Sequence, residues 1–141
     1  MFHITRRVTV GLLAACAALG VAVAPASAAD YPTDHFVVAK TNSTTWGDIT
    51  WYNRTANIKG TVSDHTTGYS TAIFEAFAGS TKIDSETRSA NDTSSLGEWR
   101  DFNFTIGDPD LVGGIDRIKI TLCTYYSSGR VCSDPENYSR G

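Results

Sequence analysis

Large apolar residues alternate with polar residues in the second half of the chain. In the stretches 101–106 and 117–122, every second residue is apolar: Phe102, Phe104, Ile106, Ile118, Ile120 and Leu122. Successive side chains of a β-strand point to opposite faces, so this period of two predicts strands with one buried face. Such strands are typical of antiparallel sheets, in which one face packs on the core and the other meets solvent.

The preceding part of the chain has the same rhythm. Segments rich in β-branched and aromatic residues alternate with clusters of Gly, Asn, Asp and Ser, which favour turns. They predict eight strands, near residues 36–40, 46–53, 57–64, 71–78, 82–88, 99–106, 115–126 and 130–132. We therefore expect a single all-β domain over residues 35–141, an antiparallel β-sandwich of about seven to eight strands.

Segment 71–78 has a second interpretation. Residues 72–78 could form two turns of helix that end at Gly79. A strand is the better interpretation because eight residues make a short helix, and because Gly79 and Ser80 resemble a hairpin turn.

The first 28 residues have the organisation of an export signal. Arg6 and Arg7 precede the apolar stretch 8–24, and the small residues 26–28 follow it. A basic start, an apolar middle and a small-residue processing site predict a cleaved signal peptide rather than a stable membrane span.

Cleavage after residue 28 would release a secreted protein with a flexible lead-in, residues 29–34. A lipid anchor at Cys16 is the minor alternative, because the residues before it resemble a bacterial lipobox. The leader holds two of the twelve Lys and Arg residues and none of the fifteen Asp and Glu, so the remainder has a formal net charge of −5. Nucleic acid is bound by basic surfaces, so no nucleic-acid partner is expected.

Cys123 and Cys132 are the two cysteines outside the leader, and they flank a Ser-Ser-Gly turn. If residues 126–129 form a four-residue hairpin loop, the two cysteines lie directly opposite each other, within reach of a disulfide. The alternation in 117–122 then places the bridge on the outer face and turns Val131 inward. Closing this ten-residue ring would stabilise the fold by about 2–3 kcal/mol. The spacing is not that of a redox or metal site.

Few residues suit catalysis or metal binding. His35 and His65 are the histidines outside the leader, and neither lies in a nucleophile motif. Asp108, Asp110 and Asp116 make a weak calcium candidate in one connecting loop, although turn formation explains them as well. We expect no cofactor.

A glycosidase would need two carboxylates about 5–10 Å apart across a groove. Glu75, Glu86 and Glu98 qualify by residue type alone. Glu75 falls between Ile73 and Phe77 on one strand face, where burial could raise its pKa. A small hydrolase is therefore the least favoured hypothesis.

Aromatic side chains suggest binding more directly. The alternation leaves Tyr52, Trp99 and Tyr125 on outer strand faces, whereas Trp51 aligns with the core residue Ile49. Exposed flat rings stack on the apolar faces of sugars, so these three could form a carbohydrate platform. Each ring could instead lie over its own sheet or over a Lys or Arg stem.

The stretches ITWYNRTANIKGTV and FNFTIGDPDLVGGIDRIKITLC, with the leader and the closing Cys hairpin, resemble small secreted actinobacterial β-sandwich-like proteins. This resemblance covers most of the chain beyond the leader. It implies a bacterial, extracellular β protein, and it carries over no catalytic or binding residue.

Taken together, these features favour a secreted, non-enzymatic binding domain. Its expected ligand is a carbohydrate or a cell-envelope surface, bound through Trp99, Tyr52 and Tyr125. The alternative is a secreted inhibitor or toxin-like effector that presents the stapled hairpin, with Arg130 near its tip, to a protein partner.

Overall fold

The computed structural model describes residues 30–94 and 96–141, which form nine β-strands and no helix. The expected signal peptide, residues 1–28, and the alternative lipid anchor at Cys16 lie outside the described residues. The strands are β1 (Thr33–Lys40), β2 (Ser43–Trp51), β3 (Ala56–Asp64), β4 (Tyr69–Ala78), β5 (Thr81–Ala90), β6 (Glu98–Ile106), β7 (Arg117–Tyr126), β8 (Gly129–Cys132) and β9 (Glu136–Ser139).

Two antiparallel sheets pack face to face. The front sheet has the strand order β1-β2-β3-β6, and the back sheet has the order β5-β4-β7. Both β8 and β9 pair with the remaining edge of β7, β8 along its C-terminal half and β9 along its N-terminal half. The inward side chains of both sheets form one hydrophobic core, which confirms the predicted β-sandwich.

The ring of Phe74, on β4, lies at the centre of this core. In the front sheet, Gly47 and Gly60 lie opposite each other, between Phe36 on β1 and Phe102 on β6. The two glycines leave space between the two phenylalanines because they have no side chains. The Phe74 ring contacts both, with centroids 6.0 Å from Phe36 and 5.3 Å from Phe102. A methyl group at Gly60 would overlap a backbone carbonyl oxygen of β2.

All eight predicted strands are present, with boundaries within three residues of those expected. Segment 71–78 is a strand, so its helical interpretation is wrong. The first strand begins at Thr33, and the indole nitrogen of Trp51 donates a hydrogen bond of 2.7 Å to Asp34. The ninth strand was not predicted: β9 has four polar or aromatic residues, of which only Tyr138 packs against the core.

Cys123 and Cys132 lie opposite each other and form the predicted disulfide. The expected register holds, but Tyr126 pairs with Gly129, so the hairpin loop has two residues rather than four. Val131 is 44% exposed, contrary to its expected inward burial, because it lies on a four-residue strand at the edge of the sheet.

Candidate functional site

Three exposed apolar side chains share the outer face of the front sheet, which we call the front face. Trp99 alternates with the core residues of β6, and Trp46 alternates with those of β2, so both indoles lie on this face. Val37 of β1 lies directly opposite Trp46. The exposed fractions are 65% for Val37, 54% for Trp99 and 37% for Trp46. Large apolar side chains exposed together on one face indicate an interaction surface.

The strand register places Trp46 and Trp99 close to each other. Trp46 pairs with Thr61 of β3, and Trp99 pairs with Ser63, the next outward residue of the same strand. Two strand spacings and a step of two residues separate the two Cα atoms by about 12 Å. One extended ligand can therefore contact both indoles.

Ordered polar side chains occupy the row of Trp46 on the front face and the rows beyond it. Thr61 Oγ1 donates a hydrogen bond of 2.6 Å to Asp101 Oδ1. Asn57 Nδ2 donates one of 2.8 Å to Asn103 Oδ1. The Thr61 hydroxyl and the Asp101 carboxylate lie in the same row as Trp46, where they can bind the hydroxyls of a ligand stacked on the ring, and the two amides lie further along the sheet.

A pocket of about 390 Å³, which we call the end pocket, opens beside the front face. Its lining residues come from the turn after β3 and the loop before β6: His65, Thr66, Thr67, Asp92 and Thr93. The ring of His65 packs edge-on against Trp99, with centroids 4.8 Å apart, and this contact joins the pocket to the front face. Within the described part of the chain, the side chains of His65, Thr67 and Thr93 make no hydrogen bond.

Asp64 is fully buried and positions both walls of the end pocket. Its Oδ1 accepts hydrogen bonds from Thr66 in one wall, of 3.3 Å from N and 2.7 Å from Oγ1. Its Oδ2 accepts a hydrogen bond of 3.1 Å from Asp92 N in the other wall. The hydroxyls of Ser43 and Ser70 also donate to Oδ1, at 3.3 and 2.8 Å. These contacts provide the hydrogen bonds that a buried carboxylate requires.

The loop that holds Asp92 is tied down on its other side as well. Asp92 Oδ2 accepts a hydrogen bond of 2.9 Å from Gly97 N, and Oδ1 accepts one of 3.0 Å from Ser94 N. Gly97 has a φ of +88°, and a Cβ atom there would overlap the ring of His65. Glycine at this position therefore allows both the turn and the close packing of the loop on His65.

The three aromatic residues selected from the sequence lie on separate surfaces. Tyr52 follows the far end of β2, about 27 Å along the sheet from the row of Trp99, and packs edge-on against Tyr31 at 4.9 Å. Tyr125 lies on the outer face of the back sheet, stacked on Tyr69 with centroids 4.7 Å apart. These three rings therefore do not form one platform.

The aspartates of the weak calcium candidate make turn contacts with backbone amides. Asp108 Oδ1 accepts a hydrogen bond of 2.8 Å from Asp110 N, and Asp116 Oδ2 accepts one of 2.8 Å from Gly79 N. No cluster of three or more His, Cys, Asp and Glu side chains that could hold a metal ion occurs among residues 30–94 and 96–141. His35, the other histidine considered, is hydrogen-bonded to Asp48 on the front face.

The three candidate glutamates lie on different strands, each beside its own cation. Glu86 on β5 pairs with Arg88 at 2.9 Å, and Glu98 on β6 lies 3.7 Å from Arg100. Glu75 is on the outer face of β4 and pairs with two lysines. This arrangement gives each carboxylate a structural partner and does not resemble a pair that faces a substrate across a groove.

The pKa of Glu75 is lowered, so the expectation of a raised pKa is wrong. Burial does raise the pKa of this carboxyl, but hydrogen bonds and charges from Lys119 and Lys82 outweigh burial, and the pKa lies below its ordinary value of 4.5. The two ion pairs have distances of 2.6 Å to Lys119 and 3.2 Å to Lys82. Ionised Glu75 therefore stabilises the folded state.

Replacing Glu75 with glutamine should lower the free energy of unfolding at neutral pH by less than about 1 kcal/mol, because the pairs are near the surface. A lowered folded-state pKa gives stability that is present above pH 4.5 and is lost as the pH falls through the folded pKa. Urea unfolding of both proteins across the acid range should show the difference vanish at low pH. Glu136→Gln, at an exposed position, is the matched control; a difference that persisted in acid would contradict this account.

Sequence reasoning missed Trp46 and the end pocket. The sequence did contain a signal for Trp46. Ile49 and Trp51 are inward residues, so a period of two makes Gly47 inward as well and Trp46 outward. The pocket had no such signal, because it depends on the loop before β6 folding back on His65. Asp64 ends the predicted strand 57–64 without any signal of its role, and its full burial emerges only from the packing of the two sheets.

Comparisons with protein-family models, with curated proteins and with solved structures find no match to this chain. In the described ranges, no helix is both long enough and apolar enough to cross a membrane. The geometry of the front face and the end pocket is therefore the basis for assigning a function.

Proposed function

We propose that this chain is a non-enzymatic binding domain that binds a glycan on its front face. The observation that carries this proposal is the exposure of Trp46 and Trp99 on one face, about 12 Å apart, with hydrogen-bonded polar side chains between and beside them. Indole rings stack on the apolar faces of sugar rings, and neighbouring polar groups bind the sugar hydroxyls. The rigid sheet holds both kinds of group in place before the ligand arrives, which reduces the entropic cost of binding.

The site of action that we propose is outside the cell, on a polysaccharide or a cell-envelope glycan. The disulfide between Cys123 and Cys132 is compatible with an oxidising compartment. A β-sandwich stapled in this way suits exposure to the extracellular medium, and the basic-apolar-small pattern of the first 28 residues supports export.

Replacing Trp46 or Trp99 with alanine should weaken glycan binding about ten- to thirtyfold, because each change removes a stacking surface central to the face. The measurement is retention of the purified protein on insoluble cellulose, chitin, xylan and peptidoglycan, followed by titration with soluble oligosaccharides of whichever polymer retains it. Both substitutions are at exposed positions, so the fold should be kept, as circular dichroism and urea unfolding would verify.

Tyr52→Ala and Tyr125→Ala are matched controls for that experiment. Both remove an aromatic ring, one at the far end of the front sheet and the other on the back sheet. We expect both control variants to be retained on the polymer as strongly as the unaltered protein. If the Trp46→Ala and Trp99→Ala variants were retained on the polymer as strongly as the unaltered protein, the front face would be ruled out as the binding surface.

The stapled hairpin supports a second candidate function, binding to a protein partner as an inhibitor or effector. Arg130 is exposed beside Tyr125, one residue beyond Gly129, and the disulfide restrains the strands on which it lies. Restrained loops bind partners at a lower entropic cost, and Arg is enriched at binding hot spots. Loss of partner co-purification in Arg130→Ala, with glycan retention unchanged, would favour this candidate over the first.

A further inference from the structure

We propose that the end pocket binds the terminal ring of a neutral glycan whose following rings lie on Trp99 and Trp46. This inference depends on the proposed function and adds to it the part of the ligand that is recognised. A flat protein face alone can bind any internal segment of a glycan. A pocket adjoining that face at one side can enclose the ring at which the chain ends.

Continuity between the pocket and the front face is the first reason. The His65 ring lines the pocket and contacts Trp99 at a centroid distance of 4.8 Å, so a ligand stacked on Trp99 would lie next to the pocket. The volume of about 390 Å³ is within the range of small-molecule sites and is large enough for a sugar ring.

The chemistry of the lining is the second reason. Thr67 and Thr93 present hydroxyls that make no hydrogen bond within the described part of the protein, and His65 presents an imidazole in the same state. A terminal ring carries a hydroxyl, free or anomeric, that an internal ring has lost to its glycosidic bond. Unpaired donors and acceptors can therefore distinguish an end from an internal ring.

Charge indicates which glycans fit. Asp92 is the one Asp or Glu among the lining residues of this pocket, and its carboxylate accepts hydrogen bonds from Ser94 N and Gly97 N. Neither Lys nor Arg lines the pocket. A carboxylate, sulfate or phosphate on the terminal sugar would therefore lack a Lys or Arg partner in the pocket, so the ligand that we propose is a neutral sugar.

The pocket is held in shape before a ligand binds. Asp64 Oδ1 anchors Thr66 and Asp64 Oδ2 anchors Asp92 N, so one rigid carboxylate sets the distance between the two walls. Asp64 cannot contact the ligand, because it is fully buried. We assign it as a positioning residue for this pocket.

Calorimetric titration with cellohexaose, xylohexaose and chitohexaose tests the inference. Each hexasaccharide is compared with two end-modified forms, one reduced to the alditol and one carrying a methyl ether at O4 of the non-reducing ring. Modification of one of the two ends should abolish the contribution of the pocket. Thr67→Val and Thr93→Val should each weaken binding of the unmodified hexasaccharide about two- to tenfold, because each removes a hydroxyl and keeps the side-chain shape.

Thr105→Val is the matched control, because Thr105 is exposed on the same sheet face at the far end of β6. It should leave affinity within a factor of two. Three results together would overturn the proposed role of the pocket. Thr67→Val and Thr93→Val would leave the affinity unchanged, both end-modified forms would bind as tightly as the unmodified hexasaccharide, and Trp99→Ala would still weaken binding. If none of the hexasaccharides bound, or if Trp46→Ala and Trp99→Ala bound them normally, the proposed function would fail and this inference with it.

Discussion

Replacing Asp64 with alanine is expected to lower the free energy of unfolding by about 3–5 kcal/mol, as measured by urea unfolding. The change would remove the acceptor for five hydrogen bonds, from two donors of Thr66 and from Ser43, Ser70 and Asp92 N. The hydroxyls of Ser43 and Ser70 are buried, so they would lose this acceptor without gaining water and would keep only each other and Thr124 as partners. Buried groups left in that state cost more than the hydrogen bonds contribute.

Asp64→Asn separates the two functions of this carboxylate. The amide oxygen can replace Oδ1, which accepts the hydrogen bonds of Thr66, Ser43 and Ser70, but the amide nitrogen would then face the donor Asp92 N. We expect a smaller loss of about 1–2 kcal/mol, and faster hydrogen exchange confined to the loop before β6. An asparagine variant as unstable as the alanine variant, or an alanine variant as stable as the unaltered protein, would contradict this description of the network.

The alternation of apolar and polar residues was sufficient to predict the fold. Phe102, Ile118 and Ile120 are buried as the period of two required, and the two sheets pack on these faces. The cysteine spacing and the Ser-Ser-Gly turn predicted the hairpin register, in which Cys123 and Cys132 form a direct cross-strand pair. Local patterns determine such features, so no alignment or known structure was needed.

Features that depend on the packing of distant segments were not predictable in the same way. Tyr138 belongs to a strand of four residues with no alternation, and the strand forms only because β7 offers it an edge. Glu75 was expected to have a raised pKa because its partners were unknown. Lys119 lies on β7, 44 positions away in sequence, and the β4–β7 register brings it opposite Glu75.

In the candidate site, too, local patterns predicted some features, and others depend on the packing of distant segments. Alternation identified Trp99 as exposed, and its exposure of 54% agrees. Alternation also selected Tyr52 and Tyr125. The pattern within one strand predicts which side chains point outward, but it does not predict to which sheet the strand belongs or at which end of the sandwich a residue lies. The topology supplied both, and it replaced these two tyrosines with Trp46 as the neighbour of Trp99.

Replacing Phe74 with alanine is expected to cost about 3–5 kcal/mol of unfolding free energy. The Phe74 ring is fully buried and contacts Phe36, Phe102 and Phe104. Neighbouring side chains cannot fill the space, because Gly47 and Gly60 lie opposite it and have none. The cavity would therefore persist, and persistent cavities add to the cost of lost apolar burial.

Phe77→Ala is the matched control, since Phe77 lies on the same strand but on its outer face. Its ring is covered by Arg117 at 4.1 Å rather than by the opposite sheet, so its loss should cost about 1–2 kcal/mol. The difference between the two variants, measured by urea unfolding with equal m-values, isolates the contribution of packing between the sheets. Equal losses in the two variants would mean that Phe74 does not join the sheets as its contacts indicate. A Phe74→Leu variant should recover more than half of the loss, because leucine fills most of the space between Phe36 and Phe102.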